Sequence, residues 1–262
     1  MPLFLYLDRR TFVHKRHPLV KVLGLLLFFI AAFVVDHPLF ILPISLGIWT
    51  LILSTGSTPN LRRLRILFFF IFTFTIIIWS VFYGRGSPLA TFPALPVTRE
   101  GILFGFGTAM KLSTFLATGI LFLSTTRIEE FAYAFTLLGL PYRIGFTITL
   151  AFRLVPLFLE AAVTVIQAQR CRGLDISRGP LLQRLRHYVF VMIPVFMGAL
   201  RRADQMAVAL EVRGFNSGRP RTSYQRVSWN GRDTLALLVV FSIAVLYLCF
   251  WRLGYGRIAV MP

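Results

Sequence analysis

Arg172-Gly173 and Arg213-Gly214 are the residues of this chain whose type and spacing could do chemistry, and they form a repeat. The first pair follows Gln169-Arg170-Cys171 and the second follows Glu211-Val212, and each ends a long, mostly apolar stretch compatible with a helix. A helix C-terminus carries unsatisfied carbonyls and partial negative charge, so an arginine in its last turn is compatible with that field and is held there without an acidic partner. Its guanidinium presents five donors in a planar fork that suits carboxylates and backbone carbonyls. Such a cation at a rigid helix end reads as a docking device for another protein rather than a catalytic centre. Arg-Gly is also simply a good helix stop, and that reading suffices for a single copy. Two copies in equivalent positions favour docking. Neighbouring Gln169, Arg170, Arg201, Arg202, Asp204 and Glu211 fit either a docking region or a solvated helix face.

The elements that present these ends belong to a membrane protein. The chain has 262 residues, is 56% hydrophobic and contains 27 phenylalanines, which argues against a soluble domain. Its net charge of +18 is nearly all arginine, gathered at the ends of apolar segments, as topology signals are. Nucleic acid is therefore not expected as a partner. Cys171 and Cys249 are not expected to pair, the four histidines have no metal-ligand spacing, and no cofactor is implied. The N-terminus has no cleavable-signal pattern.

A bilayer core of about 30 Å needs about 20 apolar helical residues. Segments 19–35, 38–54, 66–83, 101–123 and 234–251 meet that or nearly do, giving an all-α integral membrane protein with about five transmembrane helices and a module of amphipathic helices. Asp36-His37-Pro38 predicts a tight hairpin, 55–65 a polar loop, and 84–100, rich in glycine and proline, an outer loop. Residues 124–233 hold 15 of the 28 basic residues, which places them, with the N-terminus, on the cytoplasmic side. The organisation is then 1–123, a cytoplasmic-side module with the two Arg-Gly motifs over 124–233, and 234–262.

Within the fourth span, Gly101, Gly105, Ala109, Ser113 and Ala117 form a small-residue stripe for close helix packing. Lys111 in the same span marks a seam or a packing site. Thr126 and Glu129 have the spacing of a capping box before a short amphipathic helix stopped by Gly139 and Pro141. Long helices follow over 141–172 and 181–213, with a turn at 174–180 and a kink at Pro194. Val189–Leu200 is short for a crossing. The two long helices read as a membrane-abutting hairpin with both arginine ends facing the cytoplasm.

The stretch from Ser124 to Phe215 resembles the transmembrane T component of energy-coupling factor (ECF) vitamin and metal importers. The resemblance rests on Thr125-Thr126 with Glu129-Glu130, Leu138-Gly139-Leu140-Pro141, Ala151-Phe152-Arg153-Leu154-Val155-Pro156, the run from Gln167 to Gly173, Ile193-Pro194, Leu200 to Asp204, and Ala209 to Phe215. It implies a multi-pass protein of a prokaryotic inner membrane. It also implies two ABC ATPase subunits docking at Arg172 and Arg213, and a small membrane S component that binds the substrate. Cys171 and Val212 stand where that family usually has alanine. The chain has no phosphate-binding loop, so ATP hydrolysis is expected in separate subunits and the chain is not expected to be an enzyme. An integral-membrane lipid or prenyl transferase would need an Asp-rich or His/Asp/Ser site not seen here. A self-contained transporter would need an intramembrane ion site, equally unseen.

Overall fold

The computed structural model describes residues 6–9, 11–83, 88–92, 95–174, 180–215 and 228–254. Nine α-helices and one short hairpin are found among them: α1 Pro18–Val34, α2 Pro38–Thr55, α3 Thr58–Arg63, α4 Arg65–Phe82, β1 Pro88–Phe92, β2 Leu95–Thr98, α5 Arg99–Thr125, α6 Ile128–Leu137, α7 Tyr142–Cys171, α8 Leu181–Val212 and α9 Gly231–Arg252. They fall into two units. One runs over Met1–Leu140 with Val227–Pro262; the other is Pro141–Arg226.

In the first unit α5 is the central helix and packs against α1, α2 and α4, while α9 packs against α1. The reason lies in α5's small residues. Gly101 and Gly105 are buried where a Cβ would press on the α4 backbone at Trp79 and Ile76. Ala109 and Ala117 continue that stripe at 0% exposure. On the facing helix, Ile41, Ile44, Ile48 and Ile52 recur at helical spacing and form the core cluster with Ala117 and Leu121. Helix α4 buries Thr75 alone among its described side chains and turns Phe69, Phe70 and Phe74 outward, the pattern of a lipid-facing helix.

Two helices of this unit start the same way. His17 and His37 each precede proline, and the Nδ1 of each accepts the backbone N–H two residues on, from Leu19 at 3.2 Å and Leu39 at 3.3 Å. Proline fits the first turn because its missing donor would be unsatisfied there anyway.

Lys111 has a clear partner. Its Nζ donates to Asp36 Oδ1 at 2.7 Å and to the Phe33 carbonyl at 3.0 Å, pinning the α1–α2 turn to α5. Gly107, one turn earlier, lies against the Asp36 carbonyl so closely that a Cβ would collide with it.

Several expectations need correction. Arg127, not Thr126, is the N-cap of α6, and the capping box does not form: no side chain caps that end, and the buried Thr126 hydroxyl has no partner. An antiparallel hairpin, pairing Pro88 with Thr98 and Phe92 with Leu95, occupies part of the expected outer loop. The polar loop contains α3. The last helix begins at Gly231 rather than 234, because Asn230 and Asp233 form a reciprocal capping box. Among the described residues, five helices are long and apolar enough to cross a membrane, namely α2, α4, α5, α7 and α9. The set differs from the expected one: α1 has only 17 residues and α7, read as membrane-abutting, joins it. The proposed turn at 174–180 falls mostly on 175–179, outside the described residues.

Candidate docking ends of the helical pair

The second unit is an antiparallel pair of helices. The ring of Phe215, just past α8, stacks on Phe146 near the start of α7 at 4.6 Å between centroids. At the other end, Gln169 Nε2 donates to the Phe190 carbonyl at 3.4 Å. Proline sets each start, with Pro141 and Pro180 as N-caps, and glycine sets each stop.

The two stops share one construction. In α7 the N–H of Gly173 donates to the Arg170 carbonyl at 2.9 Å and that of Leu174 to the Gln169 carbonyl at 3.0 Å. In α8 the N–H of Gly214 donates to the Glu211 carbonyl at 2.8 Å and that of Phe215 to the Leu210 carbonyl at 2.9 Å. Each is a Schellman motif, which requires its glycine in the left-handed region; φ is +86° at Gly173 and +68° at Gly214. Arg172 and Arg213 are the C-caps, with φ near −85° and −80°.

The motif alone is not distinctive. Gly56 and Gly139 close α2 and α6 with the same pair of hydrogen bonds, but the residues before them are Thr55 and Leu138. What sets α7 and α8 apart is the arginine at the cap. Both arginines are exposed, as are Cys171, Val212, Arg170, Arg201, Arg202, Asp204 and Glu211, while Gln169 is half-buried. Val212 is 83% exposed. Ion pairs among the described residues join Arg16 to Asp233, Lys21 to Glu130, Lys111 to Asp36 and Arg127 to Asp8, and involve neither cap arginine.

The structure does not bring the two caps together. Arg172 lies at one end of the pair and Arg213 at the other, about 35 Å from the level of Phe190 at 1.5 Å per residue. Nor are their surroundings alike. Near Arg172 a hollow of about 400 Å³ is lined by Leu174, Arg186, His187 and Phe190. Near Arg213 in sequence, Phe215 instead joins a ring cluster with Tyr142 and Phe146, with centroids 4.6–6.4 Å apart.

Sequence reasoning missed a second polar constellation, in the first unit. Lys21 Nζ donates to Glu130 Oε2 at 2.8 Å, to the Thr125 carbonyl at 3.0 Å and to the His14 carbonyl at 3.0 Å, so all three of its protons are placed. Asn60 Nδ2 donates to Ser124 Oγ at 2.8 Å beside it. The N-terminal arm closes over this knot: the N–H of Leu7 donates to the Ser124 carbonyl, and His14 Nε2 donates to the Leu7 carbonyl at 3.0 Å. Burial pushes the His14 imidazole below its ordinary pKa, partly offset by that Leu7 hydrogen bond. The Arg127 guanidinium is raised above its usual value, first by its hydrogen bond to Tyr6. A lysine three residues into an apolar helix was the available signal, since such a charge needs partners. No group of three or more metal-ligating side chains is gathered among the described residues.

An all-α bundle with apolar helices long enough to span a bilayer defines an integral membrane protein. The chain belongs to the family of cobalt transport proteins (CbiQ), which matches residues 9–224. Within it the chain is similar to energy-coupling factor transporter transmembrane proteins EcfT. That of Staphylococcus aureus is 30% identical over 261 residues, covering 92% of this chain and 93% of its own length. That of Acidaminococcus fermentans is 30% identical over 260 residues, covering 95% and 96%. That of Streptococcus thermophilus is 26% identical over 257 residues, covering 92% and 95%.

Proposed function

We propose that this chain is the non-catalytic coupling subunit of an ATP-driven ECF importer of vitamins or metal ions, linking two ABC ATPase subunits to a membrane S component that binds the cargo. Arg172 and Arg213 are the ATPase-docking residues, with Gly173 and Gly214 fixing the caps and Cys171 and Val212 shaping the contact. One observation carries the reading: two helix ends of the same construction each present an exposed arginine without an ion pair to any described residue, at opposite ends of one pair. A single acidic ligand would call for converging cations. Two cations held apart suit two separate grooves, one on each of two subunits.

The same reading sets orientation. Helix α7 is apolar enough to cross, but a crossing by either helix of the pair would put Arg172 and Arg213 on opposite faces of the membrane. Lying along the membrane surface, the pair keeps both caps and the N-terminal arm on the cytoplasmic side, where arginines are enriched.

The test replaces Arg172 and Arg213 by glutamate, singly and together, in cells that also carry the ATPase and S subunits. Each single variant is expected to lose most ATPase copurification and uptake, and the double variant all of it. Undiminished copurification and uptake in the double variant would rule the docking role out.

A further inference from the structure

Helices α1 and α2 are joined by three residues yet scarcely touch along their lengths. Between them, flanked by α5 and α9, lies an open-sided cavity of about 730 Å³, within the range of sites that hold small organic ligands. Its walls are almost wholly apolar, from Leu25, Phe28 and Ile44 to Val239 and Ile243. Gly24 of α1 and Gly47 of α2 both line it, and a Cβ built on either meets nothing within 4 Å. Neither glycine serves a close helix contact or a turn, so they leave bare backbone facing empty, apolar space.

The cavity has a direction. On α9 it reaches from Leu235 to Tyr247, twelve residues on, which is about 18 Å at 1.5 Å per residue. That is close to one leaflet of a hydrocarbon core about 30 Å thick. Its N-terminal end carries the cations. Lys21 there is fully committed to its three acceptors. Arg16 is not: its side chain is 9% exposed, Nη1 donates to Asp233 Oδ1 at 3.3 Å, and its buried Nε has no partner among the described residues. Exposed Lys15 stands beside it in sequence.

We propose that this cavity binds one acyl chain of an anionic phospholipid, with the phosphate held at Arg16. An apolar slot one leaflet long, inside a bundle of membrane-spanning helices and ending at a cation with donors to spare, matches that molecule in length, polarity and charge. A zwitterionic headgroup brings the same phosphate but adds an ammonium beside Arg16 and Lys15, so the anionic headgroup is preferred.

Native mass spectrometry of the full chain in mild detergent tests this, with palmitoyl-oleoyl phosphatidylglycerol or phosphatidylcholine added. The wild type is expected to retain one phosphatidylglycerol at about tenfold lower lipid concentration than phosphatidylcholine. Gly24→Leu with Gly47→Leu fills the slot from two walls, with no atom within 4 Å of either new Cβ, and should abolish retention while helical content and Tm persist. Arg16→Gln should keep a bound phospholipid and erase the tenfold preference. Should that variant fail to fold, the glycine pair decides alone. Equal retention of both lipids by the wild type, undiminished retention by the filled variant, or recovery of a free fatty acid in place of a phospholipid would each overturn the proposal.

Discussion

The two units of this molecule treat their charges and their apolar surface in opposite ways. In the bundle, Lys21, Lys111 and Arg16 each meet a carboxylate and sit mostly out of water. In the helical pair, the arginines at 170, 172, 201, 202 and 213 are exposed. The bundle buries an isoleucine stripe at 0–4% exposure. The pair, among its described residues, buries only Gly145 and Val191, and leaves Phe152, Leu159, Met192, Phe196 and Leu200 more than 40% exposed. The bundle thus pairs these charges within itself. The pair leaves apolar surface that its own two helices do not cover.

Removing a charge should separate the two regions most sharply. Lys21→Met leaves Glu130 and two carbonyls without their donor, and breaking a buried pair from one side costs about 3 kcal/mol. Thermal unfolding in detergent should show a Tm lower by many degrees. Arg172→Gln should leave that Tm unchanged and instead reduce ATPase copurification. A bundle insensitive to loss of Lys21 would break the comparison.

Glycine substitution gives the next effect. Gly107→Ala drives a methyl into the Asp36 carbonyl, backbone that cannot swing aside, and should destabilise by roughly 1–3 kcal/mol. Gly173→Ala meets open space, so its cost is the left-handed conformation alone, about 1–2 kcal/mol. That cost falls on the last turn of α7. Hydrogen exchange should therefore show fraying confined to 169–174 for Gly173→Ala, and faster exchange across α1, α2 and α5 for Gly107→Ala.

The smallest effect concerns pH. His14 is held below its ordinary pKa by burial, so the unfolded chain binds the extra proton first as pH falls. Stability is thus complete above the unfolded value of about 6.5 and declines as pH drops through it toward the folded value. The N-terminal arm, tied by His14 to Leu7, should loosen as pH falls below about 6.5. Limited proteolysis near Leu7 should accelerate over that range, and His14→Gln should flatten the dependence.

Much of the helical pair was legible because its signals are local. Pro141 and Gly173, and Pro180 and Gly214, punctuate the chain, and the observed helices end within a residue or so of where those residues place them. The arginine repeat was equally visible. The arrangement of the two ends was not taken from the sequence, although a short connection between two long helices already requires their C-termini to lie apart. What stayed hidden in the bundle was non-local. Lys111 finds its partner 75 residues back, and Lys21 finds Glu130 109 residues ahead, separations that no periodicity reports. The capping box failed for a related reason: Thr126 is buried at the α5–α6 junction, and its hydroxyl does not reach the backbone of α6. Spacing proposes a cap, but tertiary burial decides it.

One pinned corner gives the bundle a mechanical character. Lys111, Asp36 and Gly107 clamp the α1–α2 turn onto α5, while the same two helices stand apart around the cavity nearer their other ends. The pair is a forceps, hinged at a fixed apex with its jaws open. With an acyl chain between the jaws their angle would follow what they hold, and the chemistry of the surrounding bilayer would become an input to the bundle's shape.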